Sequence, residues 1–112
     1  IGFGIRNFTH LDKSFENIYR VMKPGGRLVI IEFGQPPGKI IRCLRNFYFH
    51  RLIPVVSRLL IGKTGEYHYL AGSIINFHDQ KEVVNRLENQ SFRNCIYQNY
   101  LFGGIVVYSA IK

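Results

Sequence analysis

The chain has 112 residues, which is enough for one domain with a single core. Its hydrophobic share of 46% and charged share of 20% exclude an intrinsically disordered chain. No run reaches the ~18 continuous apolar residues of a membrane-spanning helix. The 15 Lys and Arg against 7 Asp and Glu give a net charge of +8. Such a charge is compatible with nucleic acid, anionic lipid or a phosphorylated ligand as partner, and equally with a solvated basic face.

The two cysteines, Cys43 and Cys95, stand in no CxxC pattern and no His/Cys cluster. Their placement favours a reduced, cytosolic compartment and predicts no zinc site. The sequence shows no signal-peptide pattern. It begins Ile-Gly-Phe-Gly, without a starting Met, and residues 1–4 read like the end of a strand. We therefore expect the chain to start inside a domain.

A first helix follows a short polar stretch. Apolar residues recur there at helical spacing, at Leu11, Phe15, Ile18, Tyr19 and Met22. Thr9 or Asp12 can cap this helix, and Lys-Pro-Gly-Gly at residues 23–26 ends it.

Residues 28–33 form an apolar, β-branched run that is broken only by Glu32. Such a run is typical of a strand covered on both faces, as in a parallel sheet. A loop at residues 35–38 leads into a basic amphipathic helix over residues 39–51, which Pro54 should break or kink.

The second half contains a further apolar stretch at residues 55–61 and an aromatic-rich segment at residues 63–77, which predicts a short helix with flanking loops. Asp79 and Glu82 form a capping box, so residues 79–90 should be helical.

The last elements predict an antiparallel hairpin. Residues 94–102 and 105–111 read as strands, and Gly103-Gly104 reads as a two-residue turn between them. Strands alternate with helices along the whole chain, which indicates an α/β layered sheet.

The run from Arg20 to Gly34, Arg-Val-Met-Lys-Pro-Gly-Gly-Arg-Leu-Val-Ile-Ile-Glu-Phe-Gly, resembles the C-terminal signature of the ubiquinone/menaquinone biosynthesis C-methyltransferases. Gly-Ile-Arg-Asn at residues 4–7 and Tyr-x-Tyr-Leu-x-x-Ser-Ile at residues 67–74 match the same family. Gly34 departs from the signature, which usually carries Ser there.

This resemblance implies a Rossmann-like class I methyltransferase sheet. Residues 1–112 would be its C-terminal half, a partial domain: the end of strand four, then strands five, six and seven, with an antiparallel six–seven hairpin and a helical insertion. The Gly-rich loop and the acidic residue on which the family's SAM site depends do not occur in this sequence. The implied activity is SAM-dependent C-methylation of a polyprenylated quinol in menaquinone or ubiquinone biosynthesis. We expect it of a full-length parent enzyme, and expect the fragment alone to be inactive.

The family's proposed catalytic Arg maps onto Arg6, and Asn7 beside it would hold a water or a substrate oxygen. Gly2 and Phe3 fall where the end of strand four approaches the cofactor, S-adenosyl-L-methionine. Some relatives carry Ser at the position of Gly2. Because glycine has no side chain, only its backbone could contact the cofactor here. Arg6 in a structural salt bridge at the sheet edge is the alternative interpretation.

Tyr67 and Tyr69 would line the quinol pocket, or else pack as core aromatics with a wet hydroxyl. Each histidine could act as a base near neutral pH, but none has metal-ligand spacing with another His, Cys or acid. We predict no metal site, and surface or loop roles for His10, His50, His68 and His78.

Basic residues interleave with apolar ones in the helical insertion, at Lys39, Arg42, Arg45, Arg51, Arg58 and Lys63. Because a polyprenyl quinol resides in the bilayer, this segment predicts peripheral contact with an anionic membrane. The expected location is cytoplasmic and peripheral at the inner membrane. An unpaired inner strand would also make a second copy of the chain a partner.

Three other functions remain open at this point. One is another class I methyltransferase acting on a small molecule or lipid. Another is a non-catalytic basic α/β binding module, although no nucleic-acid motif is recognisable and we expect no nucleic-acid partner. The third is a catalytically dead subunit of a quinone-synthesis complex.

Overall fold

A computed structural model describes residues 1–60 and 72–112 of the chain. Over these residues the named strands and α-helices run in the order α1 (Leu11–Val21), β1 (Arg27–Phe33), α2 (Lys39–Phe47), α3 (Ile53–Leu60), α4 (Gln80–Asn89), β2 (Arg93–Tyr100) and β3 (Ile105–Ile111). A 3₁₀ turn (Ile5–Asn7) precedes α1, and residues 72–75 are helical.

The three strands form one sheet in the order β1-β3-β2, with both pairings antiparallel. Residues 1–3 add a short parallel segment beside β1, because the amide N–H of Phe3 donates to the carbonyl of Ile31 (2.7 Å) and that of Ile31 donates to the carbonyl of Ile1 (2.9 Å). The strand end predicted at the start of the chain is therefore confirmed. The mixed sheet with flanking helices agrees with the predicted α/β fold class.

The strand β1 is covered on one face. Leu28, Ile30 and Glu32 are buried, whereas Val29 and Ile31 are 41% and 38% exposed. The prediction of a strand covered on both faces is wrong for the described part of the chain, because an apolar β-branched run suits a pleated surface whether or not its second face is packed. One core joins the sheet to α1 and α4, and consists of Ile5, Leu11, Phe15, Leu28, Ile30, Val83, Leu87, Phe92, Val106, Tyr108 and Ala110.

The helix α1 agrees with the predicted apolar spacing, but neither Thr9 nor Asp12 caps it. His10 occupies the N-cap position and makes no side-chain capping bond. The helix stop at residues 23–26 requires its glycines. Gly25 has a φ of +76°, and a Cβ on Gly26 would lie 2.8 Å from the carbonyl oxygen of Lys23.

Pro54 does not break the helical insertion. The chain passes from α2 through a π-helical turn (Tyr48–Leu52) directly into α3. Because proline lacks an N–H and its ring crowds the carbonyl four residues earlier, it disfavours regular α-helical hydrogen bonding in the turn before it. The wider π turn in front of Pro54 accommodates it.

The predicted helix at residues 79–90 is confirmed as α4, with Asp79 as its cap: Oδ1 accepts from the amide N–H of Glu82 (2.8 Å). The predicted two-residue hairpin turn is wrong. Tyr100 pairs with Ile105, so four residues connect the strands. We call residues 101–104 the β2–β3 loop. Gly103 packs closely on Pro36 and Pro37, so tertiary contacts shape this turn more than its Gly-Gly pair does.

Candidate active site at the carboxyl end of the sheet

The predicted catalytic residue Arg6 lies in the 3₁₀ turn that follows the parallel segment of residues 1–3. Ile5, in the same turn, is completely buried and fixes the turn to the core. This turn lies beside the carboxyl end of β1. Open α/β sheets bind their ligands at such carboxyl ends, so the position suits a ligand site.

Glu32, the second-last residue of β1, holds Arg6 in place. Its Oε1 lies 2.6 Å from Nη1 of Arg6 and also accepts from the amide N–H of Phe33 (3.0 Å). Its Oε2 accepts from the amide N–H of Arg6 (3.4 Å). The side chain of Glu32 is completely buried and that of Arg6 is 10% exposed. The carboxylate thus fixes both the backbone and the side chain of Arg6, and the structural salt bridge named as the alternative interpretation is present.

Two phenylalanines complete the surroundings of this guanidinium. The Cζ of Arg6 lies 5.4 Å from the ring centroid of Phe33, and the rings of Phe33 and Phe3 are 4.9 Å apart. Phe3 adopts a left-handed φ of 51°, and its carbonyl accepts from Nη1 of Arg6 (2.7 Å). A cation over an aromatic face is attracted to it, so the rings favour the charged side chain in this place.

The Nε of Arg6 is buried and has no hydrogen-bond partner among the described residues. Nη1, by contrast, already has two acceptors, Glu32 and the carbonyl of Phe3. A buried donor without an acceptor costs free energy, so native structures contain few such atoms. The site therefore combines a fixed positive charge with hydrogen-bonding capacity that the described chain does not satisfy.

The other predicted site residues of this segment lie next to Arg6. Asn7 ends the 3₁₀ turn and is exposed, and its amide N–H donates to the carbonyl of Gly4 (3.1 Å). Gly2 forms the bridge to Ile31, so its own N–H and C=O point away from β1. A Cβ on Gly2 would meet nothing within 4 Å, which leaves room beside this backbone.

The remaining predicted site residues, Tyr67 and Tyr69, lie outside the described residues, as do His68 and Lys63 of the predicted basic stretch. Of the described histidines, His78 pairs with a carboxylate: its Nδ1 lies 2.8 Å from Oε1 of Glu82.

Sequence reasoning missed Glu32 as a site residue, although the signal was present. It is the one charged residue in the apolar run at residues 28–33. A carboxylate in such a strand is buried only when something pairs with it. Glu32 also affects a core residue. Burial raises the pKa of the Tyr108 hydroxyl, and the negative charge of Glu32 raises it further.

Gln35, also missed, joins the strand end to the helical segments. Its side-chain amide nitrogen lies 2.9 to 3.1 Å from three carbonyl oxygens, those of Ile74, Ile75 and Phe77. Its Oε1 accepts from Nη1 of Arg45 (2.8 Å), and its backbone carbonyl accepts from Nε2 of Gln80 (2.9 Å). This one side chain therefore connects β1 to α2 and to the helical residues 72–75.

No helix within residues 1–60 or 72–112 has the length and apolar character needed to cross a bilayer.

Comparison with known proteins places these features in a family. The chain is 37% identical over 112 residues to the mouse protein named 2-methoxy-6-polyprenyl-1,4-benzoquinol methylase, mitochondrial, and covers 34% of that protein. It is 34% identical over 112 residues to the ubiquinone/menaquinone biosynthesis C-methyltransferase UbiE of Methylococcus capsulatus, covering 45% of it. It is 40% identical over 106 residues, 95% of this chain, to the UbiE of Pseudoalteromonas translucida, covering 42% of it.

The chain thus spans between 34% and 45% of the length of these relatives. The match with the family itself is more extensive, because the model of the ubiE/COQ5 methyltransferase family covers residues 1–112, the whole of the chain. The chain therefore belongs to the ubiE/COQ5 methyltransferase family.

Proposed function

We propose that this chain is the C-terminal, substrate-facing part of an enzyme that methylates a ring carbon of a polyprenylated quinol in menaquinone or ubiquinone biosynthesis, with S-adenosyl-L-methionine as methyl donor. The observation that carries the proposal is the nearly buried guanidinium of Arg6, which Glu32 holds at the carboxyl end of the sheet. The names of the relatives, which are methylases of quinol rings, support it.

Arg6 would stabilise the negative oxygen of the ring. A phenol carbon attacks a methyl group poorly until the neighbouring hydroxyl loses its proton, and a fixed cation favours the resulting phenolate. Arg6 is not the base, because a guanidinium carries only N–H donors and has no hydrogen-bond acceptor. Its role would be to orient a water that removes the proton, and Asn7 would hold that water or a substrate oxygen.

S-adenosyl-L-methionine, when bound, would supply the methyl group as an electrophile and leave as S-adenosyl-L-homocysteine, and the attacked ring carbon would then lose its proton to restore the aromatic ring. The residues of this chain that we propose contact it are Gly2 and Phe3; the N–H and C=O of Gly2 point away from β1, and a Cβ on Gly2 would meet nothing within 4 Å. The Gly-rich loop and the acidic residue expected for the rest of that site would belong to the N-terminal half of the domain. Tyr67 and Tyr69 remain our proposal for the wall of the quinol pocket.

A methyl-transfer assay on full-length enzyme carrying this sequence tests the role of Arg6. Replacing Arg6 with Met should lower kcat about 10²- to 10³-fold, the usual effect of removing one group that stabilises an oxyanion. Arg20→Met removes an exposed arginine from α1 and should leave kcat unchanged.

Arg6→Met leaves Glu32 buried without its partner and threatens folding. The double variant Arg6→Met/Glu32→Gln removes both charges and should restore the stability without restoring the rate. A double variant that folds and methylates at the normal rate would contradict the proposal and favour a non-catalytic role for this site.

Peripheral contact with an anionic membrane is part of the proposal, with a cytoplasmic location at the inner membrane. Residues 39–58 of the helical insertion carry five basic side chains and no acidic one: Lys39, Arg42, Arg45, Arg51 and Arg58. Liposome flotation with and without phosphatidylglycerol tests the contact. Binding that ignores lipid charge would contradict its electrostatic basis.

A second copy of the chain is a further proposed partner. Of the described strands, β2 lies at an outer edge of the sheet, and its residues are mostly exposed. An open strand edge can pair with another strand. Sedimentation that shows only monomers over a wide concentration range would rule out this association.

A further inference from the structure

The β2–β3 loop holds two large apolar side chains in an unfavourable backbone conformation. Leu101 has a φ of 48°, and Phe102 has φ 56° and ψ 28°. Non-glycine residues in the left-handed region usually mark places where the surrounding structure imposes the conformation for a purpose. Here the two side chains are 71% and 84% exposed, so the conformation does not bury them.

Contacts at the base of the loop hold this conformation. The amide N–H of Gly34 donates to the carbonyl of Gly104 (3.0 Å), and that of Gly104 donates to the carbonyl of Leu101 (3.0 Å). Gly103, with a φ of +87°, lies so close to Pro37 that a Cβ would come within 3.0 Å of its Cδ. The loop is therefore supported on the chain that leaves β1.

An apolar groove of about 300 Å³ lies between this loop and α2. Its apolar lining comes from Pro36, Ile41, Leu44, Tyr48, Leu101 and Gly104. The neighbouring side chains of α2 extend the apolar surface, since Leu44 is 68% exposed and Phe47 is 60% exposed. Loop and helix thus form one exposed apolar surface, larger than scattered surface residues would give.

The segment that supplies most of this apolar surface carries positive charges and no negative ones. Residues 33–60 contain five Lys and Arg and no Asp or Glu. Arg45 lines the groove, and partial burial together with the neighbouring charge of Arg42 lowers its pKa. Two copies of such a surface would repel each other, which argues against a second copy as its occupant. An anionic bilayer offers both an apolar layer and the complementary charge.

We propose that Leu101 and Phe102 form an anchor that inserts into an anionic bilayer beside α2, with the groove receiving an aliphatic chain from that bilayer. The inference rests on the membrane contact proposed above and adds a second, purely apolar element to it. Phe33 and Tyr100 both pair with Ile105, so the anchor leaves the sheet at the end where Arg6 lies. Insertion would thus bring the carboxyl end of the sheet to the membrane surface, where the ring of a polyprenylated quinol would lie.

The chain contains no tryptophan, so one introduced tryptophan reports on its own surroundings. The probes are Phe102→Trp in the loop, Phe47→Trp on α2, and Val21→Trp on α1 as a control. Val21 is 75% exposed and lies near the opposite end of β1. Each variant is mixed with vesicles of brominated phosphatidylcholine, with and without phosphatidylglycerol. We expect Phe102→Trp to lose most of its fluorescence in the anionic vesicles, and Val21→Trp to keep it.

A second measurement removes the anchor. Phe102→Ser should weaken partitioning onto anionic vesicles about tenfold or more, given the usual free energy of burying an aromatic side chain. Val21→Ser should leave it unchanged.

The outcomes separate this inference from the proposal on which it rests. If Phe47→Trp is quenched and Phe102→Trp is not, the basic segment meets the membrane and the loop anchor is wrong. If neither is quenched, both are wrong. Equal quenching of Phe102→Trp with and without phosphatidylglycerol would overturn the requirement for an anionic bilayer. The proposed role of Arg6 in stabilising the phenolate is tested independently of all three results.

Discussion

Glu32 on β1 and Arg6 in the 3₁₀ turn, which are 26 positions apart in sequence, form a nearly buried ion pair with 2.6 Å between Oε1 and Nη1. The pair joins the residue with the proposed chemical role to the strand that carries the family signature. The position of Arg6 therefore depends on a carboxylate near the carboxyl end of β1 as well as on its own turn.

Replacing Glu32 with Gln should destabilise the chain strongly. The charge of Arg6 would then remain buried without a counter-charge, and removing one partner of a buried pair costs about 3–5 kcal/mol. Urea unfolding measures the loss. Glu16→Gln, an exposed change on α1, is the control and should be nearly neutral. A loss below about 1 kcal/mol would mean that solvent screens the pair after all.

Replacing Gly34 with Ser should destabilise the sheet by about 1–3 kcal/mol, the range for overpacking a close contact. A Cβ there would collide with the carbonyl oxygen of Gly103 and lie 3.2 Å from Nε2 of Gln80. Thermal unfolding measures the effect, and Gly2→Ala, where a Cβ meets nothing within 4 Å, serves as control. An unchanged melting temperature would show that the β2–β3 loop moves away easily.

Replacing Gln35 with Met should loosen the helical insertion. Met has a similar length but cannot bond the three carbonyls at residues 74, 75 and 77, nor accept from Arg45. Unsatisfied carbonyls of this kind cost about 1–3 kcal/mol. Urea unfolding should show this loss, and hydrogen exchange should show faster exchange in the helical residues 72–75. Gln98→Met, an exposed change on β2, should have neither effect.

The stability contributed by Glu82 should depend on pH. Hydrogen bonding to Arg86, and less strongly to His78, lowers the pKa of Glu82 below its ordinary value of 4.5. A lowered pKa in the folded state stabilises the fold above that ordinary value, and the contribution disappears as the pH falls through the folded-state pKa.

Glu82→Gln should therefore cost about 0.5 kcal/mol at neutral pH, since the pair is exposed to solvent, and nothing once the carboxyl is protonated. Unfolding curves across the acidic range measure the difference. Glu88→Gln on the same helix is the control. A stability cost of Glu82→Gln that does not change with pH would contradict the lowered pKa of Glu82.

Local chemistry predicted much of this fold. The spacing of apolar residues located α1, and the Asp79 cap located the start of α4, because both depend on neighbours a few positions apart. The Pro-Gly-Gly stop before β1 was predictable for the same reason. The strand end at residues 1–4 was predicted too, whereas the placement of Arg6 came from the resemblance to the family.

The features that sequence reasoning missed depend on distant residues. Leu101 and Phe102 adopt left-handed conformations because the loop rests on Pro36 and Pro37, which no hairpin rule contains. The partner of Glu32 lies on another segment, so its role could not be inferred from the strand alone. The glycine at position 34, where the family signature usually carries Ser, is likewise explained only by a distant residue. A Cβ there would collide with the carbonyl oxygen of Gly103.

The place of β3 between β1 and β2 sets the order in which this part of the protein can fold. Its partners on β1 begin with Arg27, which pairs with Ile111, and the backbone of Lys112 bonds to Gly25 and Gly26. Of the three described strands, the central one is thus the last to be synthesised, and β1 has no antiparallel neighbour among them until then. Such non-local pairing is slow and leaves apolar edges exposed meanwhile. Losing a few residues at the end of β3 would therefore open the middle of the sheet, whereas the same loss from an outer strand would only trim its edge.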